Sequence, residues 1–344
     1  MIKILSHSIK RKTRAAPAAI RTFSKKIGKE GQIAKEEVKE KPKKSSKFQS
    51  LLKFDQSKMK TKADYKTQFD KIAYNIMSKQ VLTVNYVHKF RINEVEFYYG
   101  DHIHKDDFSL DHPLLRENST WFFLRYSNGT YVSGSYKGLN ISFGKGDKAY
   151  GGILLRAMSD MKNQLIEGPS KLADELIRLN YVDEANPEKS PKVEHLVEQK
   201  DFSLDIFNKN SRLFLSSIDE PENKGIEERK LGKDIFTGPR CGLNLRKEIS
   251  AFPEFWLKDY RYMLEPENHY KYRHLIKMSF IEKDHEKAKA LYKGKSLKEL
   301  HEAYLEGLDA KEDDMIKFLN EKRREMTPAF WAKAYGLNTK LYKI

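Results

Sequence analysis

The sequence predicts an α+β fold with a mixed antiparallel sheet. Three observations predict it. Residues 91–99 and 151–158 alternate apolar and polar positions, as strands with one wet face do. Short apolar runs between them are separated by Gly-, Asn- and Ser-containing turns. Residues 69–77 and 297–324 instead carry apolar residues at helical spacing.

In chain order, Ile72, Ile76 and Met77 mark one side of a helix, and Val81-Leu82-Thr83-Val84 reads as a strand. The next strand sets Ile92, Val95, Phe97 and Tyr99 against Glu94, Glu96 and Tyr98. A carboxylate and a phenol two apart on a strand face the same way. They could wall a site, or merely be the polar face of a half-buried strand. Residues 101–120 read as a polar loop holding His102, His104 and His112 among four aspartates. His102 and His104 suit strand ligands, but no third ligand is evident, so neither a metal nor a cofactor is expected. Trp121-Phe122-Phe123-Leu124 reads as a buried strand and Ser127-Asn128-Gly129-Thr130 as a hairpin turn. Strands are expected over 130–136, 139–143 and 151–158. Residues 173–236 look like an elaborated insert: a short helix at Leu172–Leu179, then loops, with residues 206–218 able to pair with the sheet. Two charged amphipathic helices follow, one around Leu297, Leu300 and Tyr304, the other over 311–324. The aromatic end at Trp331, Tyr335 and Tyr342 either packs back on the domain or docks into partner subunits.

Composition bounds the function. The 344 residues include 19 Phe, 18 Tyr and 3 Trp, enough for a sizeable core. The net charge of +16 points to an anionic partner. Residues 1–66 hold 20 Lys/Arg against 6 Asp/Glu, and the remainder 45 against 43, so the basicity lies in the N-terminal part. The lone Cys241 excludes an intrachain disulfide. No apolar run is long enough for a membrane span.

Residues 1–23 have the composition of a mitochondrial presequence: basic, Ser-containing and without an acid, with Arg21-Thr22-Phe23-Ser24 resembling a processing site at its end. This places the chain in the mitochondrial matrix. A basic RNA-binding arm has the same composition. Residues 24–66 form a Lys/Glu/Ser-rich extension that should be disordered alone, because it can bury too little to offset the entropy of ordering. Lys25, Lys26, Lys29, Lys41, Lys43, Lys44 and Lys47 are its candidate RNA-phosphate contacts. A folded domain over 67–264 and a helical extension over 265–344 complete the expected organisation.

A run of short motifs resembles the alkyladenine (3-methyladenine) DNA glycosylases. These are Arg91-Ile92 through Glu96-Phe97-Tyr98 and Gly100, then Asn140-Ile141-Ser142 and Leu154-Leu155-Arg156-Ala157. Gly168-Pro169-Ser170-Lys171-Leu172 and Gly238-Pro239-Arg240-Cys241-Gly242 complete the series. The resemblance covers about 69–264. It implies that family's fold, a mixed antiparallel sheet with a barrel-like core, and a reaction in which a base is flipped out, stacked on aromatic rings and displaced by an activated water. It places Glu96 at the general-base position, Arg156 beside it, and Tyr98 and Asn140 in the base pocket. Tyr131 is the one candidate for the second stacking ring.

Departures from the pattern weigh against catalysis. The intercalating tyrosine falls on Ser133 and the pocket histidine on Asp107, with His104 able to substitute only across a gap. The sequence therefore points to a structural component of the mitochondrial ribosome, in contact with mitochondrial rRNA and neighbouring ribosomal proteins, whose glycosylase-like domain is idle. An active mitochondrial glycosylase acting on damaged DNA is the alternative. An accessory subunit of another mitochondrial complex is the third.

Overall fold

The computed structural model describes residues 46–124, 137–181, 192–231, 235–243, 253–292, 295–319 and 327–342. The chain divides into Met1–Lys44 and Ser45–Ile344, and only the second falls among the described residues. Lys25, Lys26, Lys29, Lys41, Lys43, Lys44 and Tyr131, and the expected turn and strand at 127–136, lie outside them.

The folded unit begins earlier than its composition suggests. Helix α1 (Lys47–Leu52) starts where the Ser46 hydroxyl accepts the Gln49 N–H at 3.1 Å. Its Phe48 and Leu52 are fully buried. Helix α2 (Lys62–Lys79) opens with a capping box, Thr61 and Asp64 each satisfying the other's backbone N–H. The α2 face of Tyr65, Phe69, Ile72 and Ile76 seals one side of the sheet. Residues 47–66 are thus part of the domain and not of a disordered extension. A few large apolar anchors suffice despite the charge around them, and Lys47 is an exposed residue of α1.

Strand β1 (Gln80–Val84) turns through Asn85 and Tyr86, both with positive φ, into β2 (His88–Gly100). Helix α3 (Pro113–Arg116) interrupts the expected polar loop. Next come β3 (Asn118–Leu124), β4 (Gly138–Phe143), β5 (Tyr150–Asp160) and β6 (Leu165–Glu167). Helices α4 (Pro169–Asn180) and α5 (Glu194–Val197) and strand β7 (Leu213–Ser217) fill the insert. Strands β8 (Phe236–Gly238) and β9 (Arg261–Met263) end the sheet.

The strands run in the order β3-β4-β5-β2-β1-β7, all pairings between them antiparallel. One edge of β2 lies along β5; the other is shared by β1 near His88 and β9 at Glu94–Glu96. The sheet is open, not the closed barrel-like core that the family resemblance implied. Its end strands β3 and β7 do not pair. Instead the irregular stretch 204–206 bonds to both, through Ser119 and Trp121 on one side and Leu215 on the other. Ser119, with positive φ at a break in the β3 register, prevents continuous pairing there.

Helices α6 (Arg273–Lys283), α7 (His285–Leu291), α8 (Lys295–Asp309), α9 (Asp314–Leu319) and α10 (Pro328–Tyr342) follow. They form a second core with Cys241 and Trp256. Of the two placements open to the aromatic end, packing back is the one observed. Tyr335 and Leu337 are buried, and the Trp331 ring lies 5.1 Å from Trp256. Helices α8 and α10 meet at Gly307 and Gly336, where an added Cβ would fall 2.0 Å from the Lys333 carbonyl oxygen or 2.2 Å from that of Tyr304.

Candidate functional site

The alternation along β2 sends Val95, Phe97 and Tyr99 into the aromatic core, where Phe97 stacks on Phe69 at 4.8 Å. Glu94, Glu96 and Tyr98 take the other face. Two register shifts re-aim the neighbours. Glu94 pairs with Ala157 and Val95 with Leu155, which leaves Arg156 as the extra residue of a bulge. The bulge turns Arg156 onto the carboxylates. Its Nε donates to Glu94 Oε1 at 2.7 Å and its Nη1 to Glu96 Oε2 at 3.2 Å.

Glu96 is fully buried and both its oxygens are engaged. Oε1 accepts the Cys241 N–H at 2.7 Å, and Oε2 accepts the Tyr98 hydroxyl at 2.9 Å as well as Arg156. Asn140 sits two strands away in the same row, opposite Leu154, which faces Glu96. Paired residues share a face, so Asn140 lies on the face that carries Glu96, Tyr98 and Arg156. Asn140 Nδ2 lies 3.5 Å from the Phe122 carbonyl.

Several participants were not anticipated. Glu94 is the hub, because its Oε1 also accepts from Arg261 Nε at 2.7 Å. Burial alone would raise its pKa; Arg261 and Arg156 overcome that and hold it well below the ordinary carboxylate range. His269 Nδ1 lies 3.4 Å from Glu94 and 3.6 Å from Glu167, ion-pair distances too long for good hydrogen bonds. Arg240 makes a buried bidentate pair with Asp106, at 2.6 and 3.1 Å, and its guanidinium lies 4.7 Å from the Tyr98 ring centre. One face of the expected base-stacking ring is therefore covered. Burial pushes the Cys241 thiol up to about 12, so it is no nucleophile at neutral pH. The sequence signal for this cluster was two glutamates on one strand face, a pair that must recruit cations when buried.

The histidine pair of the loop separates. His102 is exposed, whereas His104 is buried, with Nδ1 at 2.9 Å from the Tyr99 carbonyl and Nε2 at 2.7 Å from the Tyr260 hydroxyl. Both nitrogens are thus used in packing, and burial lowers the His104 pKa. His104 fills the aromatic core and does not substitute for a pocket histidine, while Asp107 is exposed. No group of three or more His, Cys, Asp or Glu among the described residues could hold a metal ion.

Beyond His269 a cavity of about 1120 Å³ opens between the β5–β6 turn, the 229–231 segment and the start of the helical region. Ser159, Arg229, Lys230, Tyr270 and Lys271 are among its walls; Glu96 and Tyr98 are not.

No family model matches the chain. A protein of Acanthamoeba polyphaga mimivirus, described as uncharacterized, is 29% identical over 209 residues, which cover 57% of this chain and 85% of the viral one. Among the described residues, no helix is long and apolar enough to cross a membrane.

Proposed function

We propose that this chain is a structural, RNA- and protein-contacting component of the mitochondrial ribosome, built on a domain of the alkyladenine-glycosylase type that has lost its reaction. The observation that carries the second half is the engagement of Glu96. A general base needs a lone pair that reaches a water beside the substrate. Here the carboxylate is fully buried, and three of its roughly four acceptor sites are taken by protein donors. Removing it would leave Arg156 and the Cys241 N–H short of a partner, so its role is to hold strands together. Fold does not imply function, and the groups at this site support a scaffold.

The first half rests on the sequence. An acid-free start and a basic N-terminal part attached to a nearly neutral domain suit a chain whose end grips RNA in the matrix. Sedimentation of a mitochondrial lysate tests it. The protein should travel with one ribosomal subunit and shift when magnesium is withdrawn; recovery only at the top of the gradient would overturn the reading.

A specific observation favours a second reading, an active mitochondrial glycosylase. Glu96, Tyr98, Asn140 and Arg156 do share one face, with Arg156 bridging two carboxylates.

A further inference from the structure

The open cavity has the makings of a ligand site that the ribosomal reading does not use. Its rim carries Lys171, Arg229, Lys230, Lys271 and Lys287 against Glu167, Glu265 and Glu267. The Glu167 carboxylate is already committed, accepting the backbone N–H groups of Tyr270 at 3.1 Å and Lys271 at 2.8 Å. That contact pins the segment that displays Tyr270. Arg229 is held too, donating to the Ile92 carbonyl at 3.0 Å and to Ser159 Oγ at 3.1 Å. His269 adds a ring that is 1% exposed and lines the cavity, with its Nδ1 turned toward the Glu94 and Glu167 carboxylates.

Tyr270 supplies the other half of the chemistry. It is 74% exposed, which is unusual for an aromatic residue on a rim of charges. It is also backed: the Arg273 guanidinium lies 5.3 Å from its ring centre and 5.2 Å from that of Tyr292. The guanidinium stands on one side of the Tyr270 ring, most of which stays open to solvent. An open π-face beside exposed cations suits a ligand with a flat ring and a phosphate. Duplexes do not offer a free base face. Glu265 and Glu267 oppose a polyanion laid along the whole rim, so the fit is to one nucleotide at a time.

We propose that this cleft binds one nucleotide of a single-stranded RNA, its base stacked on the open face of Tyr270 and its phosphate met by Lys230, Lys271 and Arg229. The site belongs to the folded domain and does not require membership of a ribosome.

The test uses the purified full chain and a short oligouridylate containing 4-thiouridine. Ultraviolet crosslinking should label the peptide that contains Tyr270. Tyr270→Ala should weaken binding about tenfold at fixed salt, the loss of one stacked base, and Tyr270→Trp should restore it. Lys230→Glu with Lys271→Glu should flatten the salt dependence. Crosslinks confined to residues 1–45 would overturn the proposal. So would unchanged affinity of Tyr270→Ala, or equal competition by duplex RNA. Sedimentation of mitochondrial ribosomes is a separate readout, so failure of either idea leaves the other standing.

Discussion

Two charged regions meet at His269 and are built in opposite ways. On one side, Glu94, Glu96, Arg156 and Arg261 are almost wholly buried, and the carboxylates are met by guanidinium or N–H donors at 2.7–3.2 Å. On the other, Lys171, Lys230 and Lys271 are exposed around a large cavity, beside an aromatic ring that faces solvent. Charges in the first region have given up water for fixed partners, so they shape the fold and resist any new ligand. Charges in the second keep their hydration and can exchange it for a ligand's phosphate. Identity of residue type says little here; burial and partnering decide which arginine or glutamate is structural.

The sharpest way to break this contrast is to remove the hub. Glu94→Ala takes the carboxylate from Arg261 and leaves Arg156 with Glu96 alone, and it should destabilise the domain by about 3–5 kcal/mol, read from the urea midpoint. An unchanged midpoint would show that the cluster is hydrated. Gly336→Ala should cost about 1–3 kcal/mol by the same measurement, since the new methyl group meets the Tyr304 carbonyl and α8 must move. Glu96→Gln keeps an acceptor for Cys241 but loses the charge opposite Arg156. It should cost about 1–2 kcal/mol, less than Glu94→Ala.

Acid sharpens the comparison further. Burial, with Arg261 nearby, lowers His274 to about 4, whereas an unfolded histidine titrates near 6.5. Between those values the unfolded chain takes up a proton that the folded chain refuses, so stability should fall as pH drops from 6.5 to 4. His274→Gln should flatten that part of the Tm profile. The contribution of Glu94 has a lower window. Its depressed folded value means stability fully present above the ordinary 4.5 and lost as pH falls below it. At the cleft the expected effect is smallest: Lys230→Ala should move the urea midpoint by less than about 0.5 kcal/mol.

Much of the sheet could be read from the sequence, because the period-two alternation over 91–99 fixes which face of β2 is core. The motifs singled out Glu96, Tyr98, Asn140 and Arg156, and the pairing of β2, β5 and β4 sets these four on one face. What escaped has physical causes. Phe48, Leu52 and Tyr65 anchor a segment whose average composition is that of an unfolded chain, since three large rings or side chains count little in an average and much in a core. Arg240 and Asp106 are distant in sequence, so nothing local marks them as a buried bidentate pair. The barrel-like core was expected from the family resemblance; a left-handed serine on β3 and an irregular bridge at 204–206 are not visible in a hydrophobic pattern. The cleft was missed altogether, because its cations come from four separate stretches of chain.

The central claim, that Glu96 is spent on the fold and no longer on chemistry, meets its most direct test in base release. Purified protein is incubated with duplex DNA carrying a methylated purine, and free base is quantified for the wild type and for Glu96→Gln. The account predicts no release by the wild type above the Glu96→Gln background. Free base released by the wild type and abolished in Glu96→Gln would contradict it.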